Sequence, residues 1–81
     1  MELDALKNAA QKAVGVKQTE KAVAKQAVKL VFIGNDADEH VVERLRELCE
    51  ANNIAPMTEW NMLELGRACG IHVKAAACAV L

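Results

Sequence analysis

Apolar residues recur at helical spacing in several stretches of the chain, and this pattern predicts four helices. The first covers residues 2–13 and the second residues 17–26, with room for a turn or a very short strand at 14–16. Branched apolar residues between 41 and 49 mark a third helix, which follows the turn residues 35–38 and ends near residue 51. A capping-box spacing over residues 61–64 starts a short fourth helix that ends near Gly70.

Other stretches predict strands. The continuous apolar run Leu30–Ile33 suits a central strand that is covered on both faces. Residues 54–58 indicate a second short strand, which Pro56 restricts to an edge because proline cannot donate to a ladder. Alanine favours helix in residues 74–81, but the short length and the Val80-Leu81 ending favour a final strand. The alternation predicts a three-layer α/β/α sandwich with a small mixed central sheet of about four strands.

Composition and charge restrict the kind of site. The 81 residues suffice for a single domain over 1–81, and one Phe, one Trp and no Tyr exclude an aromatic platform for stacking bases. Residues 1–30 carry six lysines against three acids, a net charge of +3, whereas residues 31–60 carry two arginines against seven acids, a net charge of −5. This segregation predicts a basic face although the whole chain has a net charge of −1.

The cysteines and the hydropathy bear on location and chemistry. Cys49, Cys69 and Cys78 form an odd set without CxxC spacing, and we find no signal peptide and no apolar run of the ~18 residues that a membrane helix needs. We therefore expect a reduced cytoplasmic protein that does not enter a membrane. No catalytic, phosphate-cradling or zinc-ligand pattern is present, so we expect no enzyme, cofactor, metal or small-molecule substrate.

The segment from Gly15 to Lys21 carries the most informative chemistry. A glycine just before a helix leaves the first amides of that helix free, and these amides attract anions together with the helix dipole. Lys17 and Lys21 add two cations one turn apart, and Gln18 can both donate and accept, as the reading of a base edge requires. The alternative is a solvated lysine stripe on an ordinary surface helix.

A second informative stretch runs from Leu65 to Val73. Two glycines bracket the end of a short helix, and Ile71 and Val73 follow in a predicted loop, where exposed apolar residues often mark contact with a partner. The alternative is that both side chains fold back into the core. For His72 three interpretations are open: a contact to nucleic acid, an uninvolved loop residue and a metal ligand.

These stretches together resemble the kink-turn-binding ribosomal proteins, of the archaeal L7Ae and eukaryotic L30e kind, and especially their small bacterial members. The resemblance runs from about Val14 to Leu81. It rests on three motifs in the family's order: Gly15-Val16-Lys17-Gln18-Thr19 with Lys21, Asn35-Asp36-Ala37-Asp38, and Leu65-Gly66-Arg67-Ala68-Cys69-Gly70-Ile71 with Ala75-Ala76-Ala77.

The resemblance implies an α/β/α fold whose second helix enters the widened major groove of a kinked RNA, beside tandem sheared G·A pairs. It implies that Ile71, His72 and Val73 pack against the nucleotide flipped out of the kink and that Arg67 lies near the phosphates. The RNA-binding residues that it implies around the second helix are Gly15, Lys17, Gln18, Thr19 and Lys21. Lys17 and Gln18 stand where the archaeal proteins have Asn and Glu, a pairing similar to that of the bacterial subgroup.

The expected function is binding of structured RNA that contains a kink-turn, with stabilisation of the kinked form. The RNA would be a kink-turn in rRNA, an mRNA leader or a small RNA, and the protein a monomer that is ribosomal or ribosome-associated. The alternative is a protein-interaction module in which the acidic third helix docks a basic partner.

Overall fold

The computed structural model describes residues 2–81, in which helices alternate with short strands. The elements in chain order are α1 (Glu2–Asn8), β1 (Lys12–Val14), α2 (Val16–Ala24), β2 (Leu30–Ile33), α3 (Glu39–Ala51), α4 (Met62–Ala68) and β3 (Ala77–Val80). None of these helices combines the length and the apolar character that crossing a membrane requires.

The three strands form one sheet in the order β1-β3-β2, and β3 is antiparallel to both neighbours. All four residues of the central strand are buried, and three of the four are no larger than cysteine. Small side chains on the central strand let helices pack closely against both faces of the sheet. β3 runs antiparallel to both neighbours. The last residues of β1 and β2 and the first residue of β3 therefore lie at the same end of the sheet.

Alternate residues of the strands belong to two separate hydrophobic cores, one on each face of the sheet. The core on one face contains residues of α2 and α3 with every second strand residue: Ala13, Ala22, Val23, Val31, Ile33, Val42, Leu45, Cys49, Ala77 and Ala79. The core on the other face contains residues of α1 and α4 with the strand residues between: Leu6, Phe32, Trp60, Leu65, Ala68, Ala75, Cys78 and Val80. This two-sided burial, with period 2 along the strands, confirms the predicted α/β/α sandwich.

Two expected elements were wrong. The first helix ends at Asn8 instead of residue 13, because Ala13 has to alternate with its neighbours along β1, in which it pairs with Ala79. Residues 54–58 do not form a strand: Met57 makes a single parallel bridge to Phe32, and Pro56 before it has no amide to extend the ladder. The sheet therefore has three strands instead of four, and the parallel pairing of a mixed sheet is reduced to that bridge.

The run Leu30–Ile33 is a strand covered on both faces, as predicted, but it lies at the edge of the strand order instead of the centre. Met57 protects that edge: its amide donates to the Val31 carbonyl at 2.8 Å, and the Ile33 amide donates to the Met57 carbonyl at 2.9 Å. A covered edge does not offer its backbone to other chains.

The ends of α3 and the start of α4 follow local rules, and the predicted capping box is confirmed. Asp38 caps α3 by accepting from the His40 amide, and Asn53 after α3 has a left-handed φ of 58°. At the start of α4, Asn61 and Glu64 form the reciprocal capping box. The Asp36 carboxylate also accepts from the Met62 amide at 2.8 Å, so the turn before α3 holds the start of α4 as well.

Candidate nucleic-acid interface

The candidate site consists of two segments that meet at one end of the sheet, where β1 and β2 end and β3 begins. We call residues 15–21 the α2 segment and residues 70–76 the loop segment. The Gly15 amide donates to the Ala77 carbonyl at 2.9 Å, and the Gly34 amide donates to the Ala76 carbonyl at 2.9 Å. The loop segment therefore ends directly beside the start of α2. α2 and α4 cover opposite faces of the sheet. A ligand that touches both segments therefore has to pass across this end of the sheet, from one face to the other.

Gly15 sets the direction of the α2 segment through its backbone. Its φ of 96° lies in the region that favours glycine, and it is the N-cap of α2 without a side chain to cap the first amides. A Cβ at this position would meet nothing within 4 Å. Gly15 is therefore required by conformation and not by crowding within the protein. No side chain of the N-cap residue bonds the first amides of α2, so a ligand can use them.

Thr19 is a correction to the predicted site. Its side chain is fully buried, and its hydroxyl donates to the Gly15 carbonyl at 2.8 Å, parallel to the bond from the Thr19 amide to the same oxygen at 3.1 Å. Because no part of Thr19 is exposed, its side chain cannot contact a bound molecule. Thr19 instead fixes the turn between β1 and α2, and it belongs to the positioning of the site.

Lys17, Gln18 and Lys21 are exposed on the outer surface of α2, whose buried side is formed by Thr19 and apolar residues. Lys21 borders two shallow grooves. One, of about 320 Å³, lies between α2 and β1 and contains Gln18 together with Lys12 and Lys25. The other, of about 310 Å³, lies between α2 and α3 and contains Lys17 and Arg44. Basic side chains thus line both sides of the α2 segment.

Two of these cations, Lys12 and Lys25, lie outside the set of predicted RNA-binding residues. Lys25 continues the spacing of Lys17 and Lys21 by one more turn, and this periodicity was enough to include it. Lys12 carried no comparable signal, because the first helix was expected to extend through residue 13. Its position beside α2 follows only from the pairing of β1 with β3, in which Lys12 faces Val80.

The loop segment runs back along α4 to the sheet. The Ile71 amide donates to the Gly66 carbonyl at 3.1 Å, and the Ala75 amide donates to the Met62 carbonyl at 3.0 Å. Gly66 makes this approach possible, since a Cβ there would lie 2.0 Å from the Val73 carbonyl oxygen. The glycine of this motif is therefore explained by backbone packing.

The side chains of the loop segment divide between core and surface. Ile71 is half-buried against the α1–α4 core, as the alternative interpretation held, whereas Val73 is 66% exposed. His72 and, in the last turn of α4, Arg67 are exposed. Among the described residues no group of three or more His, Cys, Asp or Glu side chains could hold a metal. The only Phe and the only Trp pack against each other in the core, with ring centroids 5.7 Å apart.

The interface is therefore a basic, amide-bearing helix start next to a loop with one prominent apolar side chain. Such a surface can hold an anionic backbone through its cations, read polar edges through Gln18 and cover an unstacked group with Val73. It cannot stack bases on Phe, Tyr or Trp, because the two such residues of the chain are buried.

Comparison with known proteins gives consistent relatives. A model of the ribosomal protein L7Ae/L30e/S12e/Gadd45 family matches residues 1–81. An RNA-binding protein of Caldanaerobacter subterraneus subsp. tengcongensis is 50% identical over 66 residues, 82% of this chain and 80% of that protein. An RNA-binding protein of Bacillus pumilus is 33% identical over 81 residues, 100% of this chain and 99% of that protein. The structure of the Giardia lamblia 15.5kD RNA binding protein superposes with a TM-score of 0.84 at 26% identity, covering 98% of this chain and 69% of that one.

Proposed function

The chain belongs to the ribosomal protein L7Ae/L30e/S12e/Gadd45 family, and from this premise we propose that it binds RNA containing a kink-turn and stabilises the kinked form. The observation that carries the proposal is the hydrogen bond from the Gly15 amide to the Ala77 carbonyl, which joins the start of α2 to the residue directly after the loop segment. Relatives that match most of the chain are RNA-binding proteins, which supports RNA as the ligand.

The α2 segment supplies the contacts to the bent backbone and to the bases. Lys17 and Lys21 neutralise phosphates on either side of the helix start, and Gln18 faces the base edges between them. A glutamine carbonyl accepts from guanine N–H groups, and its amide donates to a neighbouring acceptor. Readout of this kind needs a groove wide enough for a helix, which a kink provides and a regular RNA duplex does not.

The loop segment supplies the second part of the selectivity. A kink leaves one nucleotide unstacked, and the exposed Val73 side chain, next to Ile71 and His72, offers it an apolar cover. Arg67 in α4 adds a cation toward the adjoining phosphates. Because these contacts exist only with the bent conformer, binding shifts the RNA population toward that conformer.

The physiological setting follows from the same proposal. We place the protein in the cytoplasm as a monomer, bound to a kink-turn in rRNA, an mRNA leader or a small RNA, as a ribosomal or ribosome-associated component. Its role is binding without catalysis, and no cofactor is required for it.

The experiment is a titration of two labelled RNAs that differ only in the tandem G·A pairs, with Watson–Crick pairs in the second. We expect the kink-turn RNA to bind more tightly, and Gln18→Ala to reduce that difference by about 1–3 kcal/mol, the value of a good base contact. Gln11→Ala is the matched control, since Gln11 is exposed at the opposite end of β1, where its carbonyl accepts from the Leu81 amide. Equal affinity of the parent protein for both RNAs would exclude kink-turn specificity.

The alternative function is docking of a basic protein on the acidic face of α3. The exposed Glu39 of this helix already pairs with Arg46, whose guanidinium donates to both carboxylate oxygens at 3.1 Å. A pull-down of partners that resists RNase treatment, and that is lost in a Glu43→Lys, Glu47→Lys variant, would favour this alternative. Loss of all partners on RNase treatment favours RNA.

A further inference from the structure

The groove of about 320 Å³ between α2 and β1, which we call the β1 groove, leads away from the loop segment. Gln18 lines it in the first turn of α2, and Lys25, the C-cap residue of α2, lines it at the other end of that helix. Lys12 lines it from the first residue of β1, where it pairs with Val80, the last residue of β3. The β1 groove therefore begins at the proposed base-reading residue and extends toward the opposite end of the sheet.

The charged side chains that line the β1 groove are all basic. They are Lys12, Lys21 and Lys25, and no Asp or Glu is among the described residues that line it. Lys21 and Lys25 are exposed on successive turns of α2, about 6 Å apart along the helix axis, and Lys12 is partly exposed on the neighbouring strand. A row of cations along a groove suits a row of phosphates better than a single anion, and nucleic-acid backbones follow grooves of this kind.

The floor of the β1 groove consists of small apolar side chains. Ala13 of β1 and Ala22 of α2 line it and are only 3% and 8% exposed, so they lie at its base. Alanine leaves the space between the lysines of α2 and Lys12 open. A polynucleotide strand can therefore lie between the two sets of cations and contact both.

The groove on the other side of α2 is less suited to a phosphate backbone. It contains the cations Lys17, Lys21 and Arg44, but Glu20 lies among them. Three cations and one acid give this groove a formal charge of +2, compared with +3 for the three lysines of the β1 groove. The Glu20 carboxylate also repels a phosphate that approaches it. The charges therefore favour the β1 side of α2.

We propose that the β1 groove binds the phosphates of one RNA stem where that stem continues beyond the kink. The proposal rests on the proposed function, because Gln18 and Lys21 belong both to the groove and to the α2 segment. Lys12 and Lys25 each neutralise one further phosphate. The preferred ligand is therefore a kink-turn with an extended stem on this side, instead of an isolated kink.

The test measures the affinity for a kink-turn RNA with two long stems at several salt concentrations. Lys12→Ala and Lys25→Ala should each make the slope of log affinity against log salt shallower by roughly 0.7–0.9 and weaken binding roughly fivefold at physiological salt. The double variant should lose the sum of the two slope changes. Lys25→Arg keeps the cation and should keep the slope of the parent protein.

Two controls separate a phosphate contact from other effects. Arg44→Ala removes an exposed cation from the groove between α2 and α3, and it should leave the slope unchanged. The second control is the midpoint of urea denaturation. If Lys25 only stabilised the C-terminal end of α2, its loss would lower that midpoint and leave the slope as it is, which would remove Lys25 from the proposed contact.

Two further RNAs locate the stem, each with uncharged methylphosphonate linkages in one stem beyond the kink. With one of them the slope of the parent protein should fall, and Lys12→Ala and Lys25→Ala should no longer change it. Unchanged slopes for both variants with the charged RNA, or an equal change for Arg44→Ala, would overturn the groove proposal. Failure of the proposed function is seen separately, as equal affinity of the parent protein for the kink-turn RNA and for the RNA with Watson–Crick pairs.

Discussion

The two segments of the interface differ in what holds them in place. The α2 segment is fixed by its own backbone: Gly15 supplies a φ of 96°, Thr19 fastens the turn, and a Cβ at Gly15 would meet nothing within 4 Å. The loop segment is fixed by close packing, with the Val73 carbonyl over Gly66, where a Cβ would approach to 2.0 Å. Gly15 is thus needed for its backbone conformation and Gly66 for close packing. The sequence alone shows only a glycine near a helix end in each case.

The segments also differ in chemistry. The α2 segment presents lysines and a glutamine, whereas Val73 is the most exposed apolar side chain of the loop segment. Contacts to phosphates release counterions and weaken with added salt, but apolar contacts do not. The two contributions to RNA binding can therefore be separated by measuring affinity against salt concentration.

The largest expected effect comes from Gly66→Ala, which disrupts the packing under the loop segment. Glycine to alanine inside a helix normally stabilises by up to about 1 kcal/mol. Here the added methyl collides with a backbone carbonyl that no side-chain rotation can move. We expect the free energy of unfolding to fall by about 1–3 kcal/mol, measured by urea denaturation, and RNA affinity to fall with the displaced loop.

Arg67→Ala is the control for that change, in the same turn of α4. Arg67 is exposed, so its truncation leaves the free energy of unfolding within about 0.5 kcal/mol of the parent value. If Gly66→Ala is as stable as Arg67→Ala, the loop segment is not held by packing against α4, and the comparison between the two segments fails.

The sequence was most informative where a local rule determines the structure. The capping box at Asn61 and Glu64 and the turn residues 35–38 before α3 act within a few residues and were predicted correctly. The apolar run Leu30–Ile33 was predicted correctly as a strand but wrongly as the central one. The first helix was predicted too long because Ala10 and Ala13 fit a helical period. The pairing of Ala13 with Ala79, which is distant in sequence, overrides this period. The strand predicted over residues 54–58 is reduced to the bridge between Met57 and Phe32, which is also a pairing of residues distant in sequence.

For the candidate site, the sequence predicted a set of residues but not which of them are buried. Thr19 was grouped with the ligand-contacting residues because it belongs to the motif that carries the family resemblance, and its burial separates it from them. Ile71 and Val73 are two residues apart in one loop, yet one packs against the core and the other points to solvent. Periodicity cannot distinguish them, since an irregular loop has no repeat from which to infer a face.

The next effect in size is that of Val73→Ala, which tests the apolar contribution alone. The substitution removes two methyl carbons that the proposed contact buries, so we expect a loss of about 1–1.5 kcal/mol in binding free energy. The plot of log affinity against log salt should keep its slope. Val41→Ala is the matched control, since Val41 is 52% exposed on α3 and belongs to neither segment, and its truncation leaves the affinity unchanged. Equal losses for both variants would remove Val73 from the interface.

The smallest effect at a single salt concentration is expected for Lys21→Ala, which tests the electrostatic contribution. Loss of one phosphate contact makes the slope of log affinity against log salt shallower by roughly 0.7–0.9 and weakens binding by roughly fivefold at physiological salt. Lys7→Ala is the matched control. Lys7 is exposed on α1, which covers the opposite face of the sheet from α2.

Lys21→Ala and Val73→Ala together decide whether the two segments contribute independently. If they do, the double variant keeps the shallower slope of Lys21→Ala, and its loss of binding free energy is the sum of the two single losses. A double variant that loses markedly less than this sum would mean that the lysine and the valine act on one shared conformational step of the RNA. The separation into a salt-dependent helix contact and a salt-independent loop contact would then not hold, because each segment would need the other to bind the kink.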